Sequence, residues 1–170
     1  IVCKIAEIVV VGGVRRSALI SLSSLQDDRM RDAKSGQWWV TNPQRALANN
    51  SAVYDGPVEP GQFMEEWLAL YKSKSGERGI FNRQAARSSI QRNTDIRSQN
   101  DRKRDPEHNF GTNPCSEIVL RDCEFCNLTE MVVRADDTRE SLMRKARLAT
   151  ILGTWQSTLT DFRYLSSSWK

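Results

Sequence analysis

The chain has 170 residues, 39% hydrophobic and 27% charged, a composition that suits one globular domain able to bury roughly 70% of its unfolded surface. Apolar runs such as Ile8 to Val11 are far shorter than the roughly 20 residues of a membrane-spanning helix. No charged-then-apolar signal segment opens the chain, so a cytoplasmic protein with no membrane partner is expected. The 25 basic and 21 acidic residues give a formal charge of +4, a mixed surface rather than a polycation. A single histidine excludes zinc sites of the H-E-x-x-H kind and makes any Ser-His-Asp machinery depend on His108, which lies in a very polar stretch. No metal site is expected. Cys115, Cys123 and Cys126 crowd together while Cys3 stands far off, a poor disulfide framework that points to thiol chemistry. The chain starts at Ile1, not at methionine, and is read as a piece of something longer.

In chain order, Ile1, Ile5, Ile8 and Val9 recur at helical spacing and predict a helix that stops at Gly12-Gly13, although their β-branched side chains also suit a strand. Ala18 to Leu22 predicts a strand, and Ser24 a cap for a charged helix over Leu25 to Lys34 that Gly36 ends. A second strand is expected at Ser51 to Tyr54, before the turn signals Gly56-Pro57 and Pro60-Gly61. Phe63, Met64, Trp67, Leu68 and Tyr71 then mark a helix with one face in the core, with Gly76 just past its end. Gly79 to Phe81 reads as a brief strand and Arg83 to Ser89 as a short helix. From Ser88 to Asn109 the only aliphatic residues are Ile90 and Ile96, which predicts a polar loop or insertion over 88–110. Ile118 to Leu120 and Phe125 to Val133 are strand-like, and Leu142, Ala146, Ala149, Leu152 and Trp155 predict a helix over Arg139 to Leu159. The alternation of strands and helices argues an α/β fold in a single domain spanning 1–170.

The densest group of reactive side chains is Asn113-Pro114-Cys115-Ser116-Glu117, with Cys126 eleven positions beyond Cys115. Proline stiffens the segment and disfavours helix before it. In an extended segment Asn113, Cys115 and Glu117 would share one face: an amide, a sulfur nucleophile or radical site, and an acid or base within reach of one small substrate. The alternative is a surface turn with a buried cysteine.

Gly111-Thr112-Asn113-Pro114-Cys115-Ser116-Glu117-Ile118 with Phe125-Cys126-Asn127-Leu128-Thr129-Glu130 resembles the active-site segment of ribonucleotide reductase large chains, in particular the adenosylcobalamin-dependent class II enzymes. Gly12-Gly13-Val14-Arg15-Arg16-Ser17-Ala18 is similar to the family's loop that carries specificity signals from the effector site to the substrate. Asn49-Asn50-Ser51-Ala52-Val53-Tyr54, Ser73-Lys74-Ser75-Gly76-Glu77-Arg78-Gly79-Ile80-Phe81-Asn82 and Gly153-Thr154-Trp155-Gln156 fit as well. The resemblance implies part of a ten-stranded α/β barrel, incomplete in this chain. It implies that Cys115 is the thiyl-radical cysteine that takes the substrate's 3′ hydrogen, Glu117 the base for the 3′-hydroxyl proton, and Asn113 a partner of the ribose hydroxyls. Cys126 would be one of two reducing cysteines facing the same cavity. A ribonucleoside di- or triphosphate substrate, a nucleotide effector, adenosylcobalamin and a thioredoxin-like or other dithiol reductant are implied with it. The short Cys115 to Cys126 interval favours class II over a class I large chain. Cys3 lies too close to the Gly-Gly-Val-Arg-Arg loop to be the partner of Cys126 and is expected to be structural. The phosphate-gripping turn, the carboxy-terminal cysteine pair and most of the cobalamin surface are not found, so the isolated chain is expected to be inactive and its exposed strand edges prone to aggregation.

Cys123-Glu124-Phe125-Cys126 also spells C-x-x-C, the mark of a thiol redox or zinc module, but it opens no predicted helix and has no second ligand pair. Arg102-Lys103-Arg104 sits in a segment, Arg87 to Glu107, with six basic and four acidic residues and no aromatic for base stacking, so direct nucleic-acid binding is not expected.

Overall fold

The computed structural model describes residues 1–6, 10–11, 15–16, 18–96 and 104–169. The chain forms two compact units, Ile1–Asp122 and Cys123–Lys170, each described by itself.

The first unit opens with helix α1 (Val2–Ala6), followed by two short strands, β1 (Val10–Val11) and β2 (Arg15–Arg16), paired antiparallel with Val10 opposite Arg16. The helix expected to run to Gly12-Gly13 does not: the β-branched Val10 and Val11 join a strand ladder, as their stiff side chains favour. Gly12, Gly13, Val14 and Ser17 lie outside the described residues.

The centre of this unit is a parallel three-stranded sheet in the order β3 (Leu19–Ser24), β4 (Ala48–Tyr54), β5 (Gly79–Asn82). Leu19 pairs with Ala48 at one end of the first ladder, and Ser51 pairs with Gly79 in the second. Between strands the chain crosses by helices, as parallel pairing requires. Middle strand β4 is covered on both faces, and Asn50, Ser51, Ala52, Val53 and Tyr54 are all buried, the expected state of a central parallel strand. Gly79 is the residue its position demands: a Cβ there would lie 2.8 Å from Ser51 Oγ, its cross-strand partner.

The first crossover is more broken than the sequence suggests. Helix α2 covers only Asp28–Arg31, and its cap is Asp27, whose carboxylate accepts from the Met30 amide at 3.1 Å. Ser24 instead takes the Gln26 amide in a local turn, the kind of competition short polar side chains offer a helix. Gly36 carries the left-handed φ of +62° that ends this segment, and α3 (Trp38–Thr41) with a 3-10 turn over Pro43–Leu47 leads into β4.

Helix α4 (Pro60–Ser73) starts on proline, ends at the left-handed Lys74, and has Gly76 just beyond. The expectation that Phe63, Met64, Trp67, Leu68 and Tyr71 face the core is corrected: all five are exposed, Tyr71 by 78%. The buried residue of this helix is Glu66. Arg78, just before β5, grips Glu66 through two bonds, Nε to Oε2 at 3.2 Å and Nη2 to Oε1 at 3.0 Å. It also donates to Ser23 Oγ and to the carbonyls of Ser24 and Asp27, each at 3.2 Å. A bidentate guanidinium–carboxylate pair with every remaining donor engaged outweighs the pull of an apolar stripe and sets which side of α4 turns inward. The neighbouring Glu77 does similar work, pairing with buried Lys34 at 2.9 Å and accepting the Asn50 amide at 2.8 Å.

Helix α5 spans Arg83–Ile96, so the first part of the expected polar loop is helical. Asn82 caps it by accepting the Ala85 amide at 2.8 Å. Its arginines hold it without an apolar face: Arg83 pairs with Asp55 at 2.8 Å and donates to the Phe110 carbonyl at 2.6 Å, and Arg87 donates to the His108 carbonyl at 3.3 Å. Fully buried Phe110 precedes a short antiparallel pair, β6 (Gly111–Thr112) with β7 (Val119–Leu120).

The second unit contains one long element, α6 (Arg139–Gln156), capped by Thr138, whose side chain accepts the Ser141 amide at 3.2 Å. Phe125 to Val133, expected as a strand, has no regular structure, because within this unit it has no neighbour to share a ladder with. Phe125 instead stacks with Phe162 and Trp169, ring centres 4.7 and 5.0 Å away. Asp137 ties the entry of α6 together: it accepts from Lys145 Nζ at 2.5 Å, Ser141 Oγ at 2.6 Å and the Arg134 amide at 2.7 Å. These bonds, the lysine's first, lower its pKa to about 2. The architecture is thus mixed α/β around a parallel sheet. No helix among the described residues is long and apolar enough to cross a membrane.

Arg78→Ala is expected to leave buried Glu66 with only its longer contact to Arg31, at 3.7 Å, and to lower stability by about 3–5 kcal/mol, read as an earlier urea midpoint. Arg78→Lys should recover only part of this, since an ammonium cannot form the fork; an unchanged midpoint for Arg78→Ala would remove the pair from its central position. For Asp137 the folded carboxyl titrates below its unfolded value, so its contribution is complete above about pH 4 and is lost as pH falls through about 2. Far-UV circular dichroism of the chain should show α6 signal decaying through that window, and Asp137→Asn should make the decay there shallower.

Candidate active site

Strands β6 and β7 are joined by residues 113–118, and this connection carries the candidate site. It is a turn, not the extended segment that alternation of Asn113, Cys115 and Glu117 assumed: Ser116 has φ of +67°, and a left-handed residue between the cysteine and the glutamate breaks the alternation. The turn closes on itself. The Asn113 amide donates to the Ile118 carbonyl at 3.2 Å, the Ile118 amide donates to Asn113 Oδ1 at 3.0 Å, and the Ser116 amide donates to the Asn113 carbonyl at 2.9 Å. Thr112 Oγ1 adds a bond of 2.9 Å to the Ile118 carbonyl. Asn113 is therefore buried, with its side-chain oxygen committed to the neck of the turn, while Cys115 and Glu117 stand exposed beyond it.

Among the described residues, one side chain from the sheet donates a hydrogen bond to this turn. Asn49, on β4, donates from Nδ2 to the Pro114 carbonyl at 2.6 Å. Its neighbour Asn50 points to the opposite face of the strand, where Nδ2 donates to the Met30 carbonyl at 2.6 Å. Sequence reasoning noted this pair only as part of a matching stretch. Asparagine is disfavoured in strands, so two in succession in a central strand are a signal that side-chain hydrogen bonding, not strand propensity, placed them there.

Cys126 belongs to the second unit and is half-buried; Cys123 is exposed with φ of +60°. Two stretches noted in the sequence meet here: Asn127 Nδ2 donates to the Gly153 carbonyl at 2.8 Å, and a Cβ on Gly153 would lie 3.4 Å from Thr129 Oγ1. The glycine lets the segment after Cys126 lie against α6. The C-x-x-C does not open a helix, since α6 starts at Arg139. Among the described residues no group of three or more His, Cys, Asp or Glu side chains could hold a metal ion. Cys3, in α1, is a free, half-buried thiol. Of the sequence-predicted loop, only the backbone of Arg15 and Arg16 is described, in β2.

No family model and no solved structure matches the chain. A curated protein does: over 127 residues, 75% of this chain, it is 35% identical to the adenosylcobalamin-dependent ribonucleoside-triphosphate reductase of Lacticaseibacillus paracasei. The chain is similar to a ribonucleotide reductase. A match of that length leaves at most 43 of 170 residues outside it, so the stretch from 44 to 127, with the candidate turn and Cys126, lies within it. The match spans 16% of the reductase's own length.

Packing at Gly153 generates a test. Gly153→Val should push the 126–129 segment off α6 and raise the alkylation rate of half-buried Cys126, measured by mass spectrometry, while the rate at exposed Cys123 stays the same. Gly153→Ala should change little, because a single Cβ at 3.4 Å needs only a small shift. Equal rates at Cys126 in all three proteins would mean that the glycine contact does not set the position of this segment.

Proposed function

We propose that this chain is part of the catalytic chain of an adenosylcobalamin-dependent ribonucleotide reductase, and that it supplies the radical cysteine and one reducing cysteine. The observation that carries the reading is the 35% identity over a stretch that takes in the candidate turn. The exposure of Cys115 at the outer end of that turn supports it, since a thiol that takes hydrogen from a substrate must be reachable. In this reading the three-stranded sheet is an arc of the ten-stranded barrel, and the units 1–122 and 123–170 belong to one catalytic domain. The loop Gly12, Gly13, Val14, Arg15, Arg16 and Ser17 passes effector state to the substrate. The whole protein's substrates would be ribonucleotides, and its reductant a thioredoxin-like or other dithiol.

The described residues do not form a cobalamin site. The cavities among them include one of about 540 Å³ lined by residues such as Val2, Leu19, Lys34 and Arg45 and one of about 690 Å³ lined by polar side chains such as Gln84, Arg87, Arg92 and Glu107, and the lone histidine packs edge-on against Phe110, ring centres 6.0 Å apart. With a thiyl radical in place at Cys115, its sulfur takes the 3′ hydrogen atom and becomes a thiol. Glu117, exposed beside it, accepts the 3′-hydroxyl proton while the 2′-hydroxyl departs as water. Asn113 has its oxygen committed to Ile118, so it would meet the ribose through its NH₂, donating to a hydroxyl oxygen. Two thiols, Cys126 and a cysteine outside this chain, are oxidised to a disulfide: one of their protons leaves with the 2′-hydroxyl as water, the two electrons and the other proton reduce C2′, and Glu117 gives its proton back to the 3′-oxygen. Cys115 then returns its hydrogen to C3′.

In the full-length enzyme, tritium release from 3′-labelled substrate measured beside deoxynucleotide formation separates these roles. Cys115→Ser should lose both signals. Cys126→Ser should keep 3′ exchange and lose product, releasing free base instead. Glu117→Gln should lower turnover by about 10²- to 10⁴-fold with Cys115 intact. Exchange retained in Cys115→Ser and lost in Cys126→Ser would reverse the two cysteines' assignments. Deoxynucleotide made by the 170-residue chain alone would overturn its reading as an incomplete part.

A further inference from the structure

We propose that Asn49 is the positioning residue of the Cys115 turn, holding the radical cysteine at a fixed height above the sheet; the proposal rests on the reading of Cys115 given above. Three facts carry it. Asn49 Nδ2 donates to the Pro114 carbonyl at 2.6 Å, and that carbonyl belongs to the peptide bond that leads into Cys115. Every other hydrogen bond in the turn described above (from Thr112, Asn113, Ser116 and Ile118) closes its neck on Asn113 or Ile118, so these fix its shape and not its height. Among the described residues the bond from Asn49 is the one that reaches the turn from the sheet, across 65 positions of sequence.

The base of this tether is rigid. Asn49 pairs with Ile20 in the β3–β4 ladder, and the next residue is locked from two sides, its amide to Glu77 at 2.8 Å and its side chain to the Met30 carbonyl at 2.6 Å. One strand thus uses adjacent asparagines on its two faces for two tasks: Asn50 anchors β4 to its own unit, and Asn49 transmits that anchored position to the turn. The chemistry demands such a tether. Hydrogen transfer between a sulfur and a ribose carbon is sensitive to the approach distance, and a misplacement of about 1 Å in a reacting group costs about 10²-fold. A turn with a left-handed residue at Ser116 and two exposed side chains would otherwise drift. Asn49 needs no contact with substrate for this, which is why it acts as a positioning and not a catalytic residue.

Asn49→Asp is the discriminating variant: it keeps the shape, removes the N–H donor, and lies on an exposed side chain, so the fold should persist. Asn49→Ala guards against a new repulsion between carboxylate and carbonyl. In hydrogen exchange of the 170-residue chain, or of the full-length protein where the chain does not remain folded alone, both variants should speed exchange at the Ser116 and Ile118 amides about five- to tenfold, the weight of one hydrogen bond. Exchange in the β3–β4–β5 ladders should stay unchanged. In the full-length enzyme both should lower kcat about ten- to a hundredfold with KM for the nucleotide unchanged, a split that general destabilisation would not give. Unchanged exchange at Ser116 and Ile118 overturns the tether whatever the enzyme's reaction is. Faster exchange with undiminished kcat overturns its part in the chemistry. Should the wild-type full-length protein make no deoxynucleotide, it is the reductase reading that fails, and the exchange data still decide whether Asn49 holds the turn.

Discussion

The fold of the first unit depends on burying one guanidinium. Arg78 is 2% exposed at its side chain, and a charge so placed is tolerable only if an opposite charge and enough acceptors surround it. Glu66 supplies the charge from α4, while Ser23, Ser24 and Asp27 supply acceptors from the end of β3 and the start of α2. A single side chain therefore joins both crossovers of the sheet. Glu77, one residue earlier, repeats the arrangement on Lys34 and the Asn50 amide. The apolar nucleus beside this network is small, Leu25, Ala52 and Tyr54 with Val58 against them. Directional polar contacts, more than apolar area, fix the register between helices and sheet. Tyr54 feels the same environment: burial first and the Glu66 carboxylate second raise the pKa of its phenol.

That constraint reaches the candidate site through β4. The network holds the strand at Asn50, and the alternation of strand side chains then presents Asn49 on the other face, toward Pro114. The turn that carries Cys115 is consequently built from two kinds of contact. Local bonds to Asn113 define its outline, and one long-range bond defines its place. A thiol that must be open to a substrate cannot be fixed by packing, since packing would cover it; fixing the backbone on either side is the remaining option.

What could be read in the sequence follows from how local each signal is. The three parallel strands, α4 and α6 were legible because apolar runs, proline at the first helical turn and glycine past the last are local features. The turn residues were legible as a cluster because Asn, Cys and Glu around a proline are unusual together. Its geometry was not, because the φ of Ser116 depends on bonds to Asn113 that only the closed turn makes. The orientation of α4 was misread for a different reason: five apolar side chains outvote one glutamate in a periodicity argument, but the sequence does not show that Glu66 meets Arg78 in space. The helix through Ser89 was cut short because a polar segment offers no apolar period, whereas its arginines find acceptors at Asp55, His108 and Phe110.

The segment after Cys126 shows the limit of strand propensity most directly. Phe125 to Val133 is rich in residues that favour strands, yet a strand is a relation between two segments and not a property of one. Within its own unit no second extended segment is present to bond with, and the chain satisfies itself otherwise, through Asn127 on the Gly153 carbonyl and Phe125 between two aromatic rings. The same reasoning applies to the exposed faces of α4 and α6, where Trp67, Leu68, Leu152 and Trp155 stand in water. Patches of that size on a stable protein are normally covered. The relative that this chain resembles is about six times as long as the matched stretch, 16% of it being aligned. A barrel of the kind proposed for the whole protein would supply what the two units lack, a bonded neighbour for each edge strand and an apolar surface for each helix, and in that setting the strand pattern of 125–133 and the apolar stripe of α4 would stop being contradictions.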